Sequence, residues 1–213
     1  TRQADGTWSS PRMLDKTINT PRNEKTPFIH SDSRTLYFTS DGHPGLGGFD
    51  IFYAQTLDTT WTEVKNIGFP INSEEDDLGL FVSLDGLTGY FASNKVRAAG
   101  GWDLFSFSLP ELARPEKVAL ISGTLDREEG EDLRETAIEI KNLNSREITK
   151  INVDKETGNF ARVVSAKESE DLIVTVKKKG AAFSSKYISG ADLQSKGVIK
   201  APLQVAELEI GKA

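Results

Sequence analysis

Shifted by 53 residues, the first half of the chain lines up with itself without a gap. Thr7-Trp8 falls on Thr60-Trp61, and Ile18-Asn19 on Ile71-Asn72. Phe28 meets Phe81, Asp32 meets Asp85, and Tyr37-Phe38 meet Tyr90-Phe91. Further along, Gly47-Gly48 match Gly100-Gly101, Asp50 matches Asp103 and Phe52 matches Phe105. From Thr7 to Leu57, 14 of 51 positions are identical, where unrelated pairing at ordinary composition gives roughly three. A repeat of this size is one supersecondary unit that cannot bury both faces alone, so neighbouring units must stack.

Each unit reads as four short strands. In the first, Thr26–His30 leads through a Ser31–Arg34 turn to Thr35–Ser40, and the Gly-rich stretch Asp41–Gly48 leads to Asp50–Ala54. Trp61–Val64 closes the unit, and no stretch keeps a helical period. Four antiparallel strands at this spacing predict propeller blades, about four to eight of which normally surround an axis. Residues 24–64 supply one blade, 77–109 most of a second, and Trp8–Leu14 an outer strand whose inner strands are absent. The expectation is an all-β partial propeller over 1–110, cut from a longer protein because two blades cannot close a ring. Residues 111–116, bounded by Pro110 and Pro115, read as a linker. Over 117–213, strand-length runs include Val118–Gly123, Ala137–Asn142, Glu147–Val153, Asn159–Val164, Asp171–Lys177 and Val205–Ile210. Their number and spacing predict a small β-sandwich.

Charge and composition exclude several functions. The net charge is −6, with 9 Lys/Arg against 14 Asp/Glu in residues 1–110 and 17 against 18 in 111–213. Neither half has the basic surplus that phosphate-backbone binding needs, so nucleic acid is not an expected partner. No apolar run approaches the roughly 18 residues of a membrane span. The absence of cysteine removes disulfides, thiolate catalysis and Cys-type zinc sites.

Histidine is as scarce as chemistry allows: His30 and His43 are the only two, and neither His-Glu-x-x-His nor Gly-x-Ser-x-Gly occurs. We therefore expect no catalytic residue, no metal ligand and no cofactor. The repeated carboxylates Asp50 and Asp103, like Glu24 and Asp77, read as acceptors for turn N–H groups. Glu74–Asp77 is an acidic run without the spacing of a calcium loop, and reads as a solvated loop. Trp8 and Trp61 share one repeat position, which favours packing over sugar stacking, while Trp102 stands apart from that pair. The residues expected to hold the repeats together are Trp8, Phe28, Asp32, Tyr37, Phe38, Gly47, Gly48, Asp50 and Trp61, with Phe81, Asp85, Tyr90, Phe91, Gly100, Gly101 and Asp103.

These motifs resemble the WD40-like repeats of TolB-type propellers. The likeness rests on Pro27–Ser33, Leu36–Ser40 and Gly47–Tyr53, and on Phe81–Gly86 and Gly100–Phe105 in the second copy. Ser33 stands where Gly is usual, and Leu84 where Pro is usual. Ile121–Asp126, Ala137–Ile140 and Thr157–Phe160 resemble a carboxypeptidase regulatory-like domain, a transthyretin-like sandwich. Together the halves are similar to the middle of multidomain OmpA-family proteins of Bacteroidetes, PorE-like components linked to type IX secretion. That resemblance implies a non-catalytic, periplasmic, outer-membrane-associated scaffold with protein partners in an envelope complex. It also implies attachment to peptidoglycan through a domain that this chain lacks. The alternative is a propeller module that binds a glycan or a peptide.

Overall fold

The computed structural model describes residues 3, 6–57, 60–95, 100–126, 133, 135–167, 170–178, 181–182 and 184–207. The protein is all-β, with antiparallel sheets and one short helix among the described residues. It divides into two compact units, Thr1–Ser83 with Leu87–Pro115, and Glu116–Ala213 with Leu84–Gly86.

The first unit holds two sheets that repeat one another. Strands β1 (Glu24–Ile29), β2 (Thr35–Ser40) and β3 (Asp50–Leu57) form an antiparallel meander, extended along β3 by the short β4 (Thr60–Trp61) and β5 (Lys65–Asn66). Strands β6 (Asp77–Val82), β7 (Thr88–Ser93) and β8 (Asp103–Ser108) form the second. The register is displaced by the repeat length throughout. Glu24 pairs with Ser40 and Phe28 with Tyr37, as Asp77 pairs with Ser93 and Phe81 with Tyr90. Both first strands shift register at the same place, between Lys25 and Phe28 and between Leu78 and Phe81. The residue inside that bulge has positive φ in both copies, Thr26 at 46° and Gly79 at 70°.

Alternation along a strand sends neighbouring side chains to opposite faces. Tyr37 joins Ile51, Tyr53, Leu80, Val82 and Phe91 in one apolar cluster, while Phe38 joins Ile18, Leu36, Phe52 and Ala54 in another. The first cluster is the junction between the two sheets. The face of the first sheet bearing Tyr37 and Ile51 lies against the face of the second bearing Phe91 and Phe105. Each aliphatic side chain buried there is worth about 1.5–3 kcal/mol, which is what binds one repeat to the next.

Three expectations need correction here. Of the run Trp61–Val64 only Trp61 is strand, at the end of β4, and the chain rejoins β3 beyond the run, at β5. The Trp8–Leu14 stretch is not a strand but a single bridge at Trp8, because strand geometry comes from a ladder neighbour such as β3 provides for β4 and β5. The stretch read as a linker folds back on the first unit: a turn of 3₁₀ helix at Glu111–Ala113 buries Ala113, whose carbonyl accepts the Tyr37 hydroxyl at 2.5 Å.

In the second unit, β9 (Val118–Asp126) is paired by β12 (Asn159–Ser165) and by two parallel neighbours, β16 (Val198–Lys200) and β17 (Leu203–Gln204). A second sheet runs β11 (Ile148–Ile151), β10 (Ala137–Asn142), β13 (Leu172–Lys177), β15 (Ser184–Ile188). The two-residue strands β14 (Ala181–Ala182) and β18 (Ala206–Glu207) pair with each other. Ile121 and Phe160 from one sheet share a buried core with Ile138, Val174 and Ile188 from the other. The helix α1 (Gly190–Ser195), unexpected from the sequence, is capped by Ser189, whose hydroxyl accepts the Asp192 N–H at 3.1 Å. The run expected over Val205–Ile210 is strand at Ala206–Glu207, with Val205 buried ahead of it, and residues 208–210 lie outside the described residues.

Candidate functional site

The feature of the molecule with the most organised chemistry is the junction between the two repeats. Strands β1 and β6 lie side by side, and residues 53 apart touch each other. Thr26 Oγ1 accepts the Gly79 N–H at 3.2 Å, and the Phe28 and Phe81 rings sit 4.9 Å apart. His30 Nε2 lies 3.1 Å from the Ser83 carbonyl. The Asp32 N–H donates to His30 Nδ1 at 3.2 Å, so Nε2 carries the proton and donates to Ser83. His30 is therefore buried with both ring nitrogens engaged in structure.

The repeated acids do what turn acceptors do. Asp32 accepts the Arg34 and Thr35 N–H groups and the Thr35 hydroxyl at 2.7–3.0 Å. Burial pushes its pKa up, but these donors outweigh that and hold it below the usual carboxylate range. Its counterpart Asp85 is exposed. Asp50, buried beside Gly47, accepts the Leu46 and Gly47 N–H groups through Oδ2. Burial pushes Asp50 upward despite those bonds, with the Asp77 charge adding to the rise. Ser73 caps Asp77 at 2.6–2.8 Å, as Thr20 caps Glu24 at 2.7 Å one repeat earlier. One oxygen on each of Asp50, Asp77 and Asp103 is buried without a hydrogen bond.

Glu74–Asp77 is not the solvated loop its sequence suggests. Asp77 is fully buried, and Asp76 Oδ1 accepts the Phe49 N–H at 2.8 Å. The acidic run forms the second half of the junction, and its backbone is why the loop before β3 needs two glycines. A Cβ on Gly47 would run into the Glu74 backbone, and one on Gly48 into the Asp76 carboxylate. Sequence reading paired Asn72 with Asn19 but missed its role. Asn72 is wholly buried; its Oδ1 accepts the Ile51 N–H at 2.8 Å and its Nδ2 donates to the Ile51 carbonyl at 2.9 Å. Its recurrence one repeat earlier as Asn19 is the sequence signal for such a clamp.

The remaining repeat residues fall into a buried and an exposed set. Tyr37, Phe38 and Phe91 are buried, and Trp61 is half-buried on the Phe38 cluster. Burial, then the nearby Asp32 and Tyr53, push the Tyr37 hydroxyl well above its usual range. Trp8, Phe81, Tyr90 and Trp102 are exposed, and a Cβ added to Gly100 or Gly101 would meet nothing among the described residues. Asp103 is half-buried.

Among the described residues, no cluster of three or more His, Cys, Asp or Glu could hold a metal ion. No described helix is long and apolar enough to cross a membrane. A cleft of about 220 Å³ in the second unit is lined by Glu147, Thr149, Arg162 and Glu170. It is smaller than the roughly 300–1,000 Å³ usual for a small-molecule site.

No protein-family model matches the chain, and no curated protein matches it. Among solved structures, similarity is found to GBS52, the minor pilin of the Gram-positive pathogen Streptococcus agalactiae. The identity is 13%, over 78% of this chain and 72% of that one, with a TM-score of 0.30.

Proposed function

We propose that the chain is a non-catalytic interaction scaffold, made of consecutive β-propeller blades followed by a carboxypeptidase regulatory-like, transthyretin-like sandwich. The observation that carries this reading is the in-register contact of β1 with β6. Thr26 on Gly79, Phe28 on Phe81 and His30 on Ser83 are the contacts expected of inner strands related by rotation about an axis. Such a stack is rigid, because its histidine, carboxylates and asparagine are spent in holding one repeat to the next. A rigid face suits a scaffold for protein partners. The location in the periplasm at the outer membrane, attachment to peptidoglycan and a place in type IX secretion rest on the motif resemblance alone.

The test has two arms. Purified protein, with and without zinc, is expected to hydrolyse neither peptides nor glycans, and turnover abolished by changing His30 or His43 would overturn the reading. Residues 1–213 are also expected to stay in the supernatant when peptidoglycan is sedimented. Retention would place glycan recognition within this chain and favour the glycan-binding alternative.

A further inference from the structure

Each sheet of the second unit ends in a strand with one neighbour only, β11 in one sheet and β12 in the other, and the cleft of about 220 Å³ lies in the seam between them. The ladder with β9 leaves half of the β12 backbone unused. The Gly158 carbonyl accepts the Leu125 N–H at 3.0 Å, and the Ala166 N–H donates to the Lys117 carbonyl at 2.9 Å. In an antiparallel pair this alternates, so Phe160, Arg162 and Val164 bond β9, while Ala161, Val163 and Ser165 turn their N–H and C=O groups outward. Those outward groups make no hydrogen bond among the described residues. Four consecutive residues, 162 to 165, line the cleft, so it runs along this open edge.

The side chains in the seam are not those of a dry core. Arg162 stands between Phe160 and Val164 on the β12 face that bears the core, paired with buried Ile121 of β9. Its guanidinium nevertheless has no ion pair and no hydrogen bond among the described residues. Across the cleft, Glu147 and Thr149 hold the core-facing register of the β10–β11 hairpin, opposite Asn142 and buried Ile140. The Glu147 carboxylate is unpaired as well. Ser165 adds a hydroxyl that is buried without a hydrogen bond. Opposite charges that line one cleft without meeting leave room for a ligand that bridges them, and free edge N–H and C=O groups are matched by an extended backbone.

We propose that this seam binds an extended peptide segment, which adds to β12 as a further strand. Val163 and Ser165 supply its ladder bonds. Side chains two apart on a strand share one face, roughly 6.5–7 Å from each other. An acidic residue therefore meets Arg162, a small aliphatic one two positions on covers Val164, and a basic one two further reaches the Glu147 and Glu170 end. An inward-facing charge guards an edge against indiscriminate pairing, so Arg162 makes the seam selective for a strand with the matching carboxylate. The cleft is small for a free ligand, whereas a strand lies along the seam and places only its inward side chains inside. The inference rests on the edges of the sandwich and is independent of the scaffold role.

Two peptides test it: acetyl-Thr-Glu-Thr-Val-Thr-Lys-Thr-amide, in register for a strand parallel to β12, and the same sequence reversed, for an antiparallel one. Titrated into nitrogen-15-labelled residues 1–213, one of them is expected to shift the Ala161, Val163 and Ser165 amides saturably and to leave the first unit unmoved. Arg162→Glu is expected to weaken that binding about tenfold or more, because like charges then face each other. Far-UV circular dichroism confirms that the variant remains folded. N-methylation of the peptide at alternate residues leaves the protein untouched. It is expected to abolish binding when the methyl groups fall on the N–H set that faces β12, and to be tolerated on the other set. Saturation by neither peptide, binding that Arg162→Glu leaves unchanged, or equal effects of the two methylation patterns would each overturn the proposal.

Discussion

Ile51 and Leu104 occupy one position in two copies of one repeat, yet the first is sealed from water and the second stands almost wholly in it. Strand, register and pairing partner are equivalent, so none of these explains the difference. The cause is the next repeat: β6, Ile67 and Asn72 cover Ile51, and no equivalent element covers Leu104 among the described residues. Gly47 and Gly100 tell the same story: a Cβ on the first would run into the Glu74 backbone, and one on the second would meet nothing among the described residues. In a stacked architecture, burial belongs to the junction and not to the residue, because each repeat contacts only its neighbours.

The sharpest way to break this comparison is to truncate both residues. Ile51→Ala removes buried methyl groups from the junction cluster and is expected to cost about 2–5 kcal/mol. Leu104→Ala is expected to fall within about 0.5 kcal/mol of the parent, as surface changes do. Urea denaturation of both proteins measures the pair. Equal losses would mean that the second face is already covered.

This contrast marks where sequence reading stops. The 53-residue offset anticipates the strands well: β1 and β6, and likewise β2 and β7, begin and end at equivalent residues. Opposite faces for Tyr37 and Phe38 follow from strand alternation alone. Which copy of a repeated aromatic is buried does not follow, because Tyr90 carries the same motif as Tyr37 and differs in what stands beside it. The acidic Glu74–Asp77 run misleads because its neighbours, Gly47 and Phe49, lie about 27 residues away in sequence and supply donors that no local pattern announces. Helix α1 is too short to show a helical period, although Ser189 followed three residues later by Asp192 is a capping signal.

A second comparison sets Asp32 against Asp50. The pKa of Asp32 is depressed on folding, so above the unfolded value near 3.8 the native state gains its full contribution. As pH falls below that value, the unfolded chain takes up a proton that the native Asp32 resists, and the contribution drains away. Its size at neutral pH should be about 2 kcal/mol, as for hydrogen bonds to a charged group. Asp32→Asn is expected to flatten the acid limb of stability against pH. Asp50 acts with the opposite sign: its raised pKa gives stability at low pH that is lost as pH climbs above 3.8. Chemical denaturation at a series of pH values separates the two, since the Asp50 slope falls with pH and the Asp32 slope rises. A steep acid limb that survives Asp32→Asn would assign it to other carboxylates.

The smallest expected effect concerns one turn residue, and its sign matters more than its size. Ser33 and Gly86 are equivalent, and both lie at positive φ, 60° and 73°. A side chain there costs about 1–2 kcal/mol by crowding the following carbonyl. Glycine avoids that crowding but loses roughly 0.5–1 kcal/mol more conformational entropy on folding. The Ser33 N–H donates to the His30 carbonyl, a bond that glycine keeps, and its hydroxyl makes no hydrogen bond among the described residues. Ser33→Gly should therefore stabilise the protein by up to about 1 kcal/mol, and Gly86→Ser should destabilise it by a similar amount. Thr26 invites the same exchange, but its hydroxyl bonds Thr39 at 2.9 Å and accepts from Gly79, so relief of strain there is offset by two lost bonds. Thermal unfolding of the Ser33→Gly and Gly86→Ser pair should move the midpoint in opposite directions. A fall for Ser33→Gly would mean that the serine is held by something other than its backbone conformation, and that the two turns are not equivalent after all.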